Sequence, residues 1–235
     1  MNAAIIVAAG SGKRFGADVP KQFLEILGKP LIVHTLEKFE SCLLVDEIIL
    51  VLPFEEIKNF QTAVEKYNLR KLVKIIAGGA TRAESVLNGM NSIDEDKTEI
   101  IAVHDGARPL VSTEEISRTI KRARETGAAC LVAAVTDTIK KVADGKIKGT
   151  IDRAKLRRAL TPQAFRYEIL KRAFEAADLS ETATDECFLV EKLGCEISVV
   201  EGSAENFKIT TPEDFALAEI FLSKSANRKS QIENV

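Results

Sequence analysis

Apolar residues along this chain fall into two kinds of run, and the two alternate. Short, β-branched, nearly unbroken stretches lie at 3–8, 47–52 (EIILVL), 72–77 (LVKIIA), 99–103 (EIIAV) and 129–135 (ACLVAAV). Runs of that length without polar alternation are expected of strands covered on both faces. Between them the apolar spacing lengthens to that of a helix. Pro30 opens one such segment, with Ile32, Leu36 and Phe39 on one face. Phe54, Ile57, Phe60 and Val64 stripe a second, and residues 81–91 form a third. Ser112 with Glu115 makes a capping box for a fourth, which carries Ile116, Ile120 and Ala123. This alternation predicts an α/β fold, a mostly parallel sheet with helices on both sides.

The rhythm breaks after Val135. The stretch DTIKKVADGKIKGTIDR reads as two polar, lysine-rich strands around Asp144-Gly145, a hairpin-turn dipeptide. A lone hairpin is marginal in water, so this one must join the parent sheet or pack on something else. The reading favoured is an arm that packs on a second subunit. Alternation then resumes, with helical segments near 164–177 and 184–193 and a strand at 196–200. Phe207-Lys208-Ile209 reads as a short strand before a last helix with Thr211 as N-cap, Pro212 at its first position and Glu213 and Asp214 in its first turn. The polar tail from Ser223 is expected to fray. Without repeats or long linkers, residues 1–235 read as one domain with an inserted β-arm at 136–153.

Composition narrows the function classes. At 46% hydrophobic and 29% charged, 235 residues can close a core without disulfides or metal staples. A formal net charge of −2 gives no global attraction for nucleic acid or an acidic membrane, so any cationic function must be local. Cys42, Cys130, Cys187 and Cys195 form no C-x-x-C pair, and the only histidines are His34 and His104. They read as reduced, mostly buried thiols rather than a zinc site, as suits a cytoplasmic protein. The first apolar run lacks the basic flank and length of a signal peptide, and no later stretch reaches spanning length.

Three stretches then carry candidate chemistry. AAGSGKRFG, residues 8–16, follows the first strand. It fails the P-loop pattern, because Arg14 follows Gly12-Lys13, and it fails the dinucleotide pattern, because Gly10, Gly12 and Gly16 are spaced G-x-G-x-x-x-G. Glycines still let backbone N–H groups converge on an anion, and Arg14 and Lys21 can reach over the same loop, which runs on to about Gly28. In AGGATRAESV, residues 77–86, Gly78-Gly79 precede a helix whose first turn bears Arg82 and Ser85. Taken alone this is equally an ordinary strand-to-helix turn. VHDGARP, residues 103–109, ends a strand with Asp105 and Arg108 three apart. The acid could hold a metal or a sugar hydroxyl and the arginine a phosphate, or the two could form a structural pair. His104 reads as a packed core histidine. Lys208 sits in an apolar setting and must point somewhere specific or snorkel.

With IDR…ALTPQ-x-F and EG-x-x-x-N-x-KIT-x-PEDF further on, these stretches run in one order along nearly the whole chain. The sequence closely resembles the 2-C-methyl-D-erythritol 4-phosphate cytidylyltransferases of the non-mevalonate isoprenoid pathway. The resemblance implies a Rossmann-like nucleotidyltransferase fold that joins CTP to a polyol phosphate and releases pyrophosphate, with Mg²⁺. It implies that Gly10, Gly12, Arg14 and Lys21 cradle the triphosphate, that Ala8, Gly79 and Ser85 meet the cytosine, and that Arg82 also serves CTP. Asp105 and Arg108 would hold the methylerythritol, with Thr161 and Lys208 lining the site. Arg14, Lys21 and Lys208 would be the catalytic cations. Asp105 is the one candidate metal ligand, the triphosphate itself being the alternative holder. The hairpin resembles the family's dimerisation arm, whose Thr138 and Arg153 would reach the acceptor phosphate of a neighbouring subunit. Ala80 stands where an acid is frequent in the family, and Glu205 where an aspartate is common. Ribitol-5-phosphate cytidylyltransferases share most of these motifs and remain an alternative. A catalytically silent nucleotide sensor is a second, disfavoured by the retained cations, and a dinucleotide oxidoreductase is disfavoured by the glycine spacing.

Overall fold

The computed structural model describes residues 1–10, 20–178 and 184–233, with side chains as far as Lys224. The chain opens with β1 (Asn2–Val7). A 3-10 turn at Lys21–Phe23 and a small hairpin, β2 (Glu25–Ile26) with β3 (Lys29–Pro30), lead into α1 (Leu31–Glu40). Next come β4 (Glu47–Leu52), α2 (Ile57–Val64), β5 (Leu72–Ala77), α3 (Arg82–Asn91), β6 (Ile100–Asp105), α4 (Thr113–Thr126) and β7 (Ala128–Ala134). The arm is β8 (Ile139–Ala143) and β9 (Lys146–Ile151). The chain ends through β10 (Arg157–Arg166), α5 (Tyr167–Ala176), α6 (Glu186–Lys192), β11 (Ser198–Glu201) and α7 (Pro212–Glu233).

Seven strands form the main sheet among the described residues, in the order β11-β7-β10-β6-β1-β4-β5. β1 pairs in parallel with both β4 and β6, β4 with β5, and β7 with β11. Only β10 runs antiparallel to its neighbours β6 and β7. The chain leaves β1 toward β4 and β5, then returns to lay β6 on the other side of β1. Connections therefore diverge between β1 and β6, and the crevice at the carboxyl ends of those two strands is where such sheets bind ligands.

Alternate residues of β1 face opposite layers, as the two-residue period of a strand requires. Ala4 and Ile6 pack with Ile32, Leu36 and Phe39 of α1 and Ile116 and Ile120 of α4. Ala3 and Ile5 pack with Val86 and Met90 of α3, Leu170 and Phe174 of α5, and Leu189 and Val190 of α6. Each such large apolar side chain, fully buried, contributes on the order of 1.5–3 kcal/mol. A third, smaller cluster of Ile26, Leu31, Ala107, Ile209, Ala218 and Leu222 sets α7 and the 207–209 segment against the turn after β6. It props the segment that carries Lys208.

Ser112 and Glu115 form the expected capping box at α4. In the arm, Asp144 and Gly145 both take positive φ, 52° and 69°, as a two-residue hairpin turn requires. The arm does not join the parent sheet but forms a two-stranded sheet of its own. Its apolar residues Val142, Ile147 and Ile151 are 60%, 66% and 40% exposed, and within its own chain the two strands half-bury only Ile139.

Three expectations are corrected. The segment read as helix from 164 is strand β10 until Arg166, and the helix starts at Tyr167. Leu160 through Phe165 are buried, so no alternation marks them, and Pro162 lies where the register to β7 shifts between Ala159 and Gln163. Proline is tolerated at such an irregularity, where no ladder donor is required. Phe207–Ile209 is not a strand: its backbone contact to the turn after β6 is Ile209 N–H donating to Ala107 O at 2.9 Å. The tail does not fray at Ser223, because α7 continues to Glu233 through residues that include no glycine or proline after Pro212. Among the described residues no helix is long and apolar enough to cross a membrane.

Candidate functional site

Register places Val7 of β1 beside Asp105 of β6, and the backbone beyond each strand end turns outward around a cleft of about 520 Å³. The third wall is the turn between β5 and α3. A Cβ on Gly78 would lie 2.3 Å from Ala9 Cβ, and one on Gly79 would lie 2.4 Å from Glu84 Cβ. Only bare backbone lets this turn approach both the end of β1 and the first turn of α3. Thr81 caps α3, accepting from Glu84 N–H at 3.1 Å, while the Glu84 carboxylate accepts from Ala80 N–H at 2.7 Å. Gly79 N–H donates to Ser85 Oγ at 3.1 Å. On the opposite wall the buried Gln22 donates to Ala8 O at 2.8 Å and Gly10 O at 3.3 Å, pinning the entry to the glycine-rich loop.

Asp105 organises the cations. Its Oδ1 accepts from Arg82 Nε at 3.2 Å, and its Oδ2 faces Arg108 Nε at 3.1 Å and Lys208 Nζ at 3.2 Å. Burial alone would raise the pKa of this carboxyl, but the three cations outweigh it and hold Asp105 well below the usual carboxylate range. Arg82 also donates from Nη1 to Glu186 Oε1 at 2.6 Å. Burial works against the Arg82 charge, yet Glu186 and Asp105 together keep its pKa above the ordinary value. Glu186 is buried enough that desolvation raises its pKa in spite of Arg82. Arg108 reaches further, donating from Nη1 to Asn206 O at 2.9 Å. Lys21 Nζ donates to Ile209 O at 2.6 Å, which ties the lysine of the glycine-rich loop to the segment bearing Lys208.

Behind Asp105 runs a relay of hydrogen bonds. Asp105 N–H donates to Thr161 Oγ1 at 3.1 Å, and Thr161 Oγ1 lies 3.0 Å from His104 Nδ1. His104 Nε2 lies 3.2 Å from Arg108 O, which can only accept, so the proton sits on Nε2 and the Thr161 hydroxyl donates to Nδ1. The ring packs against Phe39, is fully buried, and burial pulls its pKa down to about 3. His104 is thus a neutral core histidine that fixes the orientation of Thr161.

Ala8, Gly10, Lys21, Gly79, Arg82, Ser85, Asp105 and Lys208 all line this one cleft. Arg108 and Thr161 stand behind Asp105, the latter almost wholly buried. Gly12 and Arg14 lie outside the described residues. Thr138 and Arg153 sit exposed at the base of the arm, where Arg153 donates to Thr136 O, and do not line the cleft of their own chain. As a metal ligand Asp105 is poorly placed: both oxygens already face cations, and among the described residues no three acidic, histidine or cysteine side chains group together. The donor set is not that of a resident metal centre. Sequence reasoning gave no role to Gln22, Asn206 or Glu186. Gln22 follows Lys21 directly, and Glu186 follows the N-cap Asp185, but only the fold reveals that both point inward.

Sheet order and cleft together define an α/β nucleotidyltransferase fold. The family model for 2-C-methyl-D-erythritol 4-phosphate cytidylyltransferase matches residues 2–224. A protein of that description from Syntrophus aciditrophicus is 43% identical over 228 residues, spanning 96% of this chain and 97% of its own. One from Geobacter metallireducens is 44% identical, spanning 94% and 97%. Among solved structures, 4-diphosphocytidyl-2C-methyl-D-erythritol synthase from Anaerococcus prevotii superposes with a TM-score of 0.82 at 30% identity, covering 95% of this chain and 98% of that one. The Francisella tularensis 2-C-methyl-D-erythritol 4-phosphate cytidylyltransferase gives 0.77 at 34% identity, covering 92% and 97%. The chain belongs to the 2-C-methyl-D-erythritol 4-phosphate cytidylyltransferase family.

Proposed function

We infer that the chain transfers the cytidylyl group of CTP to the phosphate of 2-C-methyl-D-erythritol 4-phosphate, in the non-mevalonate isoprenoid pathway. An acceptor phosphate oxygen attacks the α-phosphorus, the bond to the β-phosphate breaks, and pyrophosphate leaves. The acceptor is already an anion, so no general base is required. The obstacle is charge: one polyanion meets another, and negative charge grows on the leaving group. The observation that carries this reading is the convergence of Arg82, Arg108 and Lys208 around one carboxylate at the mouth of β1 and β6, with Lys21 tied to the segment that bears Lys208. Lys21 and Lys208, with Arg14, stabilise the charge that develops on the phosphates. Ala8, Gly10, Gly12, Gly79, Arg82 and Ser85 form the CTP side. Asp105, Arg108 and Thr161 form the acceptor side. Magnesium is part of the nucleotide substrate, carried by the triphosphate and neutralising charge on the departing pyrophosphate.

The exposed apolar residues of the arm favour a homodimer in which Thr138 and Arg153 serve the partner's acceptor phosphate. The four cysteines are free thiols, which suits a reducing cytoplasm. Pyrophosphate release with CTP and methylerythritol phosphate tests the function, against ribitol 5-phosphate and against the other nucleoside triphosphates. Turnover with CTP and methylerythritol phosphate is expected to dominate, and a preference for ribitol 5-phosphate would overturn the acceptor assignment. Lys21→Ala and Lys208→Ala are each expected to lower kcat by about 10²–10³. Near-normal turnover in both would remove the lysines from the catalytic role.

A further inference from the structure

Glu186 is a costly residue for a protein to keep. It is 1% exposed, and its Oε2 has no hydrogen-bond partner among the described residues. Buried polar oxygens are satisfied in the great majority of cases, and an unpartnered one calls for a reason. The reason is not stability, because an imperfectly satisfied buried ion pair is commonly no better than apolar packing. What Glu186 does instead is complete a clamp. Arg82 stands at the first position of α3, between Asp105 at the end of β6 and Glu186 at the start of α6. Nε is taken by Asp105 and Nη1 by Glu186, which leaves Nη2 without a hydrogen bond among the described residues. A guanidinium is planar, so two bonds from different nitrogens fix both its position and its plane. Arg82 lines the cleft and its side chain is 24% exposed, so the amino group left over is the one available to a ligand.

Glu186 is itself held from behind. The neighbouring Asp185 caps α6, accepting from Phe188 N–H at 3.0 Å, and accepts from Gln163 Nε2 at 2.7 Å, while Gln163 Oε1 accepts from Cys187 N–H at 3.1 Å. One side chain of the central strand β10 thus bonds to the residues on both sides of Glu186. We propose that Glu186 is a positioning residue: by holding Nη1 of Arg82 it turns Nη2 toward the nucleotide. It does not touch substrate. This rests on the reading that Arg82 serves CTP.

Two variants grade the effect. Glu186→Gln keeps an acceptor for Nη1 without its charge, and Glu186→Leu removes the acceptor at similar volume. KM for CTP is expected to rise about threefold in the first and about tenfold or more in the second, with KM for methylerythritol phosphate staying within twofold. A double-mutant cycle with Arg82→Lys, which has a single amino group and no plane to fix, is expected to be strongly non-additive. In that background Glu186→Leu should add less than twofold. Melting temperatures of all variants are measured alongside. Equal changes in the two KM values, the same change with Lys at 82, or lowered melting with unaltered kinetics would each overturn the role. If the wild-type protein fails to turn over CTP with methylerythritol phosphate, the functional reading falls. If it turns over and Glu186→Leu matches it, only the positioning role falls.

Discussion

Asp105 and His104 are adjacent in sequence and respond to acid in the same direction, for different reasons. Asp105 has its folded pKa pushed below its unfolded value, so the stability it confers is present above about pH 4 and is lost as pH falls further. His104 is held neutral with a pKa near 3 against an ordinary 6.5. The unfolded chain therefore binds a proton that the folded chain refuses, and stability falls as pH drops from 6.5 toward 3, by up to about 1.4 kcal/mol per pH unit. Glu186 has a raised pKa and acts in the opposite sense, costing stability above the ordinary carboxylate range. Because the histidine window opens first, thermal melting between pH 7 and 5 is expected to show a decline that His104→Gln flattens. An equal slope in the variant would show that the buried imidazole is not its source. Asp105→Asn is expected to lower turnover at least 100-fold, an effect of the size seen when a preorganised electrostatic group is lost. It also leaves three cations facing a neutral amide, and should destabilise by about 3–5 kcal/mol in urea titration.

At the scale of elements, the turn after β6 is, like the turn between β5 and α3, packed too closely for a side chain. A Cβ on Gly106 would stand 2.6 Å from Ile32 Cδ1 and 2.9 Å from Ala8 Cβ, squeezed between α1 and the end of β1. Gly106→Ala is expected to cost about 1–3 kcal/mol through overpacking, read as a lower urea midpoint. Because the push falls on the backbone beside Asp105, kcat should fall with it. Such close approaches explain what could be read from the chain beforehand. The strands of the first half were legible as unbroken apolar runs, the capping box of α4 as a spaced polar pair, and the arm's turn as Asp144-Gly145. The motifs also marked most of the cleft, because glycines, cations and a strand-end acid are chemically conspicuous. β10 was not legible: its buried centre contains Thr161, Pro162 and Gln163, residue types that argue against a central strand. Glu186 was not legible either, because its role depends on the start of α6 meeting the start of α3.

For the whole molecule, the arm is the part that a single chain leaves unfinished. Val142, Ile147 and Ile151 stand in solvent on a two-stranded sheet, a form that is marginal by itself. In the proposed dimer they are covered by the partner. Val142→Asp combined with Ile147→Asp is expected to shift sedimentation from dimer to monomer and to lower turnover at limiting acceptor, since Arg153 and Thr138 would lose their target. A monomeric wild-type protein with full activity would remove the arm from both roles.

The position of β10 has a consequence in time. The sheet's two portions, β11-β7 and β6-β1-β4-β5, are joined only through this strand, yet it lies in the last third of the chain. Until Arg157–Arg166 has left the ribosome, β6 keeps a row of unpaired backbone groups and β7 has no neighbour, the kind of open edge that recruits other chains. The acid at the end of β6 is therefore made early and set late. Nascent chains released before Arg157 should aggregate or be degraded, whereas those that have gained β10 and α6 should hold the β1–β6 crevice closed against proteolysis.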